Sequence, residues 1–392
     1  MNHLSPPLRR RRPFRTRHST IGYSAARALS LPPPKEAPLS VLRDASVLIT
    51  GCNSGLGHAM ARHVLRAGAR LIFTCRTHAK VSETADRLRM EFPRAWIEGY
   101  RVDLAELAGV DRCCHGLRRV GMPVDYLILN AGIHVPFSKC VTDDGFELHH
   151  QVNFLSAARM FLHLSERRRH PLRQVVYVSS DAHKMGHLPA IFPWSFWALY
   201  ARSKLRATTF FHAARPLFPG TVISVISPRN VETPVHRHKH WLVRRLRDVS
   251  GGAQLAEDAA GELLEAAFSS GQPELYWNRG EIAAPSERCS DRDLRLAVWA
   301  EGTAGLPRMQ PKIHVLENHA VTVSYLAPPV HSPSTDTEVA ELVRRAMAKR
   351  GSVRVVGSRH SYNDCFYSPS TLISLEKLKE IGSIEESRDE AG

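Results

Sequence analysis

From Ser46 onward, short apolar runs alternate with longer segments whose apolar residues recur at helical spacing. Strand-type runs fall at 46–50, 70–75, 96–102, 124–129, 174–179 and 221–226, with a further short run near 273–277. The spacing between them predicts helices over 56–67, 79–91, 106–119, 144–168 and 198–215. This alternation predicts an α/β fold: a doubly wound parallel sheet of about seven strands, covered by helices on both faces. In such sheets a ligand binds beyond the carboxyl ends of the strands, near the point where the strand order reverses. Gly51, Arg76, Asp103, Asn130 and Ser180 all fall at strand ends.

The first strand end carries Thr50-Gly51-Cys52-Asn53-Ser54-Gly55-Leu56-Gly57. Strand, glycine-rich turn and helix start form the context of a dinucleotide phosphate site. Glycines permit the tight turn and the close approach of a pyrophosphate, and the helix N-terminus offers free N–H groups. Cys75-Arg76 ends the second strand, and no acid stands between Arg70 and Ser82. An acid there would bind a ribose 2′-hydroxyl; Arg76 pairs instead with a 2′-phosphate, so NADP(H) is the expected cofactor. Asp103, followed by Leu104, ends the third strand and can accept from an adenine amino group. Asn130-Ala131-Gly132 ends the fourth, where small residues leave room for a cofactor.

Tyr200 and Lys204 stand four residues apart and share a helix face. A free tyrosine has a pKa of about 10, too high for efficient acid–base work at neutral pH. A neighbouring ammonium and the positive charge of a nicotinamide both favour the phenolate. Ser180, at the end of the fifth strand, can hold a carbonyl oxygen. Asn153 lies inside a predicted helix, where asparagine is a poor former, and a water-bridged relay to Lys204 would explain it. His183, His187, Trp194 and Trp197 are candidates either for a substrate pocket or for packing.

Together these residues resemble the short-chain dehydrogenase/reductase family. Thr50 to Gly57 matches its T-G-x-x-x-G-x-G turn, and Leu129-Asn130-Ala131-Gly132 its N-N-A-G strand end with Leu for the first Asn. Asn153, Ser180, Tyr200 and Lys204 match its catalytic tetrad in order. The likeness covers about 42–306 and implies a Rossmann-type fold. It is greatest to the retinol dehydrogenase and WW domain-containing oxidoreductase branch, through Thr142 to Leu148, Gln151-Val152-Asn153, Val178 to His183 and Gly252-Ala253-Gln254. It implies hydride transfer between NADP(H) and a carbonyl or alcohol. Tyr200 would act as acid or base, Lys204 would bind the nicotinamide ribose, Ser180 would orient the carbonyl and Asn153 would organise the relay. Pro228, Val231 and Thr233 would flank the nicotinamide. Arg229 stands where the family has glycine after the sixth strand. The likeness also implies a small-molecule substrate and a homodimer through the helices at 144–168 and 198–215. The alternative readings are an inactive scaffold relative and a bifunctional fusion with a flavin-dependent oxidase.

Charge and composition change this picture mainly at the ends. Lys and Arg exceed Asp and Glu by 15, and residues 1–40 hold seven Arg and one Lys against one Glu. The rest of the excess is diffuse, which favours a solvated basic surface over a nucleic-acid groove. The leader, 1–40, matches an organelle transit peptide, mitochondrial or other, or else a basic tail on a cytoplasmic protein. No apolar run approaches the roughly 18 residues of a membrane span. The seven cysteines include no C-x-x-C, which argues against a metal site and a disulfide framework.

A domain over 41–306 is expected to lead through a linker, 307–334, into a tail at 335–392. Val339, Leu342, Val343 and Ala346 predict a helix there, capped by Ser334 or Thr335, with Glu338 three residues after Thr335. Gly357-Ser358-Arg359-His360-Ser361 follows an apolar run, and about 320–385 resembles the first lobe of the FAD-binding domain of sugar-lactone and alditol oxidases. That likeness implies FAD at the loop. A lobe without its partner encloses no isoalloxazine, so a fused or truncated gene is expected as readily as a second domain.

Overall fold

The computed structural model describes residues 39–135, 141–166, 170–187, 195–228, 255–268, 276–278, 281–306, 314–317, 324–327, 330–348, 353–356 and 371–378. Ser46–Thr50 (β1), Arg70–Cys75 (β2), Ile97–Arg101 (β3), Tyr126–Leu129 (β4), Gln174–Val178 (β5), Val222–Ser227 (β6) and Tyr276–Asn278 (β7) form one parallel sheet. Their order is β3-β2-β1-β4-β5-β6-β7, and Glu281–Ile282 (β8) adds an antiparallel edge to the expected seven. The order reverses between β1 and β4, so a crevice opens beyond Thr50 and Leu129.

The central strands are apolar on both faces, which is why they appear in sequence as unbroken runs. Leu48, Leu127, Val175 and Tyr177 pack against Leu107–Arg119 (α3), Ser156–Ser165 (α5), Ser195–Ala214 (α6) and Arg292–Thr303 (α8). Val47, Ile49, Ile128 and Val176 face Gly55–Arg66 (α1), His78–Glu91 (α2) and Ala256–Phe268 (α7). Gly68, at φ 82°, ends α1 in the left-handed conformation that glycine adopts without strain.

The helix predicted over 144–168 is interrupted. Leu148–His150 (α4) passes into a π turn at Gln151–Leu155 before α5 begins. The wider turn contains Asn153, the asparagine that helix propensity flagged, and such turns recur at functional sites.

α8 lies on α5 and α6. Trp299 stacks on Phe210, with centroids 5.3 Å apart and planes 11° apart. A Cβ at Gly302 would lie 2.6 Å from the Phe210 ring, so this close seat requires glycine. Arg206 grips the Glu301 carboxylate, and Arg159 donates to the Ala304 carbonyl at 3.2 Å.

The span expected as a linker contains an antiparallel pair, His314–Glu317 (β9) with Ser324–Ala327 (β10). Val330–His331 (β11), Val353–Val356 (β12) and Thr371–Ser374 (β13) make a separate parallel sheet in the order β11-β13-β12, with Asp336–Ala348 (α9) between β11 and β12 in the chain. Thr335 accepts from the Glu338 amide at 3.2 Å as the spacing predicts, while Glu338 reaches back one residue further and accepts from the Ser334 amide at 2.7 Å. Gly357 to Ser361 lie outside the described residues.

Trp299→Ala removes a buried indole and its stack on Phe210. It should cost about 3–5 kcal/mol in urea unfolding, and an effect below about 1 kcal/mol would contradict the docking of α8.

Candidate active site

The turn after β1 is tied to the end of β4. Asn130 Nδ2 donates to the carbonyls of Thr50 and Gly51 at 3.0 and 3.3 Å, and the Ala131 amide donates to Thr50 Oγ1 at 3.0 Å. Gly51 and Gly55 adopt φ of 75° and 57°, values unfavourable for other residues. A Cβ at Gly57 would lie 2.2 Å from the Gly51 carbonyl oxygen, so the turn cannot close over a larger residue. Leu56 is buried, while Asn53 has its carbonyl held by Arg87 at 2.7 Å. Ser54 places no side-chain cap on α1. The first amides of that helix are thus left without a side-chain cap, as an anion site requires.

Arg76 is exposed immediately beyond β2, ahead of Thr77, which caps α2 by accepting from the Lys80 amide at 3.3 Å. Asp103 accepts from the Ala105 amide at 3.0 Å, and the Leu104 carbonyl accepts from Ser156 Oγ at 2.6 Å. Both are half-buried at the end of β3. Pro228 directly follows β6, whereas Val231, Thr233, Arg229 and Trp194 lie outside the described residues.

Two of the four remaining polar candidates, Asn153 and Lys204, meet at Gly132. A Cβ there would lie 3.2 Å from Asn153 Oδ1 and 3.4 Å from Lys204 Nζ. Asn153 is buried and fully engaged: its amide donates to the Ile133 carbonyl at 3.0 Å and to Ser203 Oγ at 2.9 Å, and its oxygen accepts from the Ile133 amide at 2.8 Å. Lys204 Nζ donates to the Val178 carbonyl at 2.8 Å and sits 5.1 Å from the centroid of the Tyr177 ring. The Ser180 side chain lies near enough to Tyr200 to favour its phenolate.

Burial dominates the electrostatics. It takes the Lys204 ammonium down to about 7. It also pushes the Tyr200 phenol up, against the Ser180 side chain, which pulls it down. The polypeptide therefore departs from the expectation that Lys204 depresses Tyr200: a half-charged amine at neutral pH exerts less pull than a full ammonium.

Sequence reasoning misses three participants. Ser203, inside the Tyr-x-x-x-Lys stretch, accepts from Asn153 and donates to the Tyr200 carbonyl at 2.7 Å. His134, buried beyond Gly132, packs on Tyr200 at 4.7 Å and edgewise on Trp197 at 5.1 Å. His149 holds the same loop: its Nε2 accepts from the Val135 amide at 3.1 Å and its Nδ1–H donates to Glu147 at 2.7 Å. A lone histidine on an apolar face carries no pattern; the Asn130–Val135 stretch after a strand end is the only available signal. Of the pocket candidates, Trp197 does reach Tyr200, His187 is exposed, and His183 turns into the protein.

Because Lys204 titrates near 7 when folded and about 10.5 when unfolded, the unfolded chain binds more protons between those values. Its burial therefore makes stability rise with pH through that window. Lys204→Met should be more stable than wild type at pH 6–7 in urea unfolding, with the advantage shrinking toward pH 10. A pH-independent difference would contradict the assignment.

Residues 45–240, half of the chain, match the family model described as short chain dehydrogenase. Mouse retinol dehydrogenase 14 is 36% identical over 216 residues, covering 50% of this chain and 64% of that protein. The WW domain-containing oxidoreductase of Drosophila melanogaster is 28% identical over 278 residues, covering 66% and 67%. The chain thus spans about two thirds of the length of these relatives. Among solved structures, an uncharacterized protein of Mycobacterium paratuberculosis superposes with a TM-score of 0.51 at 26% identity, over 67% of this chain and 93% of that one. With the strand order, the glycine turn and the meeting of Asn153 and Lys204 at Gly132 already in place, the chain belongs to the short-chain dehydrogenase/reductase family, in the branch that holds the retinol dehydrogenases and WW domain-containing oxidoreductases.

Proposed function

We propose that this chain is an NADP(H)-dependent oxidoreductase that interconverts a carbonyl and an alcohol by hydride transfer. The convergence of Asn153, Lys204, Ser180 and Tyr200 at the carboxyl ends of β4 and β5 carries this reading. The glycine turn, the uncapped start of α1 and the exposed Arg76 would hold the dinucleotide, with Arg76 on a 2′-phosphate. When bound, the nicotinamide supplies or takes the hydride.

The chain's own groups do the rest. Ser180 Oγ and the Tyr200 hydroxyl, which lie near each other, can both donate to a carbonyl oxygen. Tyr200 gives its proton to that oxygen in reduction and takes it back in oxidation. Its raised pKa keeps the proton on the phenol before reaction, as an acid requires. Lys204 sits one helical turn away and can carry charge as the phenolate develops. Asn153 holds the Ile133 backbone and Ser203, and through Ser203 the first turn of the Tyr200–Lys204 segment. The name of the retinol dehydrogenase relatives makes isoprenoid aldehydes the first class to try.

The test is NADPH oxidation by the full chain with all-trans-retinal, nonanal and 4-nitrobenzaldehyde. Turnover of at least one, lost by 10²-fold or more in Tyr200→Phe, is expected. Arg76→Ala should raise KM for NADPH about tenfold and leave NADH nearly unchanged. Equal use of both nucleotides by wild type would remove the assignment of NADP(H), and turnover undiminished in Tyr200→Phe would remove the mechanism.

A further inference from the structure

His183 lies three residues after Ser180, in a 3-10 turn at Asp181–Met185, and is fully buried. Its Nδ1 is 2.7 Å from the Ser180 carbonyl oxygen. A carbonyl only accepts, so Nδ1 carries the hydrogen. Its Nε2 receives the Ser286 amide at 3.0 Å, so that nitrogen is bare. The two backbone partners together select one neutral tautomer. Burial, which pulls this imidazole's pKa down, favours the same neutral form.

The surroundings make this a tether between distant parts of the chain. Ser286 is 103 residues from His183 and leads into the short 3-10 helix Glu287–Ser290. Tyr276 of β7 meets the imidazole edge-to-face at 5.3 Å. At the other end of the turn, a Cβ on Gly186 would lie 2.6 Å from the Ala201 carbonyl oxygen, so the turn is pressed against the backbone of α6 one residue beyond Tyr200. Ser180 is thus gripped at its carbonyl by His183 twice, by the imidazole at 2.7 Å and by the backbone amide at 3.0 Å, while its hydroxyl accepts from the Ala182 amide at 3.3 Å and lies near Tyr200.

We propose that His183 is a positioning residue: its imidazole ties the Ser180 carbonyl to the Ser286 amide and thereby sets where the Ser180 hydroxyl stands relative to Tyr200. The role assigned to Ser180 rests on the proposed function; the tether itself does not. The bond to Ser180 is the one that matters for chemistry. The bond to Ser286 orients the ring and couples the β7–β8 edge to the site. A histidine serving only to fill the core would contribute volume alone, and an isosteric ring would replace it.

The experiment uses the full chain and three variants. His183→Phe keeps a ring and the backbone amide bond to the Ser180 carbonyl, and loses both imidazole bonds. His183→Asn keeps a donor near the Nδ1 position for Ser180 and loses Ser286. His183→Gln places its amide farther out, toward Ser286, and forfeits the short bond to Ser180. Hydrogen–deuterium exchange of peptides covering 180–186 and 283–290 reads the tether without any substrate. Initial rates with NADPH and 4-nitrobenzaldehyde, or with all-trans-retinal if that is the compound reduced, read the positioning. Exchange should quicken in both peptides in His183→Phe and stay unchanged elsewhere. The kcat should fall tenfold or more in His183→Phe and His183→Gln with KM for NADPH unchanged, and His183→Asn should recover most of it. Wild-type exchange in His183→Phe overturns the tether. Equal kcat in wild type and His183→Phe, or an equal loss in Asn and Phe variants, overturns the positioning role. If wild type reduces neither aldehyde while exchange quickens at both peptides in His183→Phe, the tether stands and the functional reading is what fails.

Discussion

The amide of Asn130 reaches back to the carbonyls of Thr50 and Gly51, while Thr50 accepts from the amide of Ala131. These bonds lock the ends of β1 and β4 together where the strand order reverses. Every other part of the site hangs on that joint. The glycine turn needs it to keep Gly57 beneath the Gly51 carbonyl. Gly132, two residues on, is the small floor over which Asn153 and Lys204 meet. A parallel sheet supplies such a crevice at no extra cost, because neighbouring connections leave on opposite faces there.

Burial then decides the chemistry. Lys204 and Asn153 are enclosed, and their polar atoms are directed to backbone carbonyls, a hydroxyl and each other's neighbourhood. Such satisfaction is what makes an enclosed polar cluster tolerable. The same enclosure leaves the lysine about half-charged at pH 7 and keeps the tyrosine protonated. A site in this condition is responsive: a charge or hydrogen-bond acceptor brought by a ligand moves both groups more than it would in water. The histidines have a different function. His149 and His183 each accept from one backbone amide, and each uses Nδ1–H to hold an oxygen, so they act as rigid connectors.

Much of the sheet is legible in sequence because its strands are apolar on both faces and bounded by glycine and polar punctuation; β1, β2 and β5 sit where the runs predict. The glycine turn, the Asn130 strand end and the Tyr200–Lys204 pair are legible because each depends on local spacing. The π turn at Gln151–Leu155 is not, since one widened turn leaves the apolar rhythm of a helix nearly intact. It betrays itself only through Asn153. The contact of His134 with Tyr200 and the tether from His183 to Ser286 are likewise invisible, because they join segments far apart through backbone atoms that no residue type announces. The β9–β10 pair within 307–334 escapes for a similar reason: two four-residue strands are too short for periodicity to separate from a loop.

The most direct test of the account is an isothermal titration of the full chain with NADPH and with NADH. One-to-one binding, tighter for NADPH, is the predicted result, because the uncapped start of α1 and the exposed Arg76 favour a dinucleotide with a 2′-phosphate. Absence of binding by either nucleotide to a folded chain would contradict it, leaving the site's convergent residues without the partner that gives them a reaction.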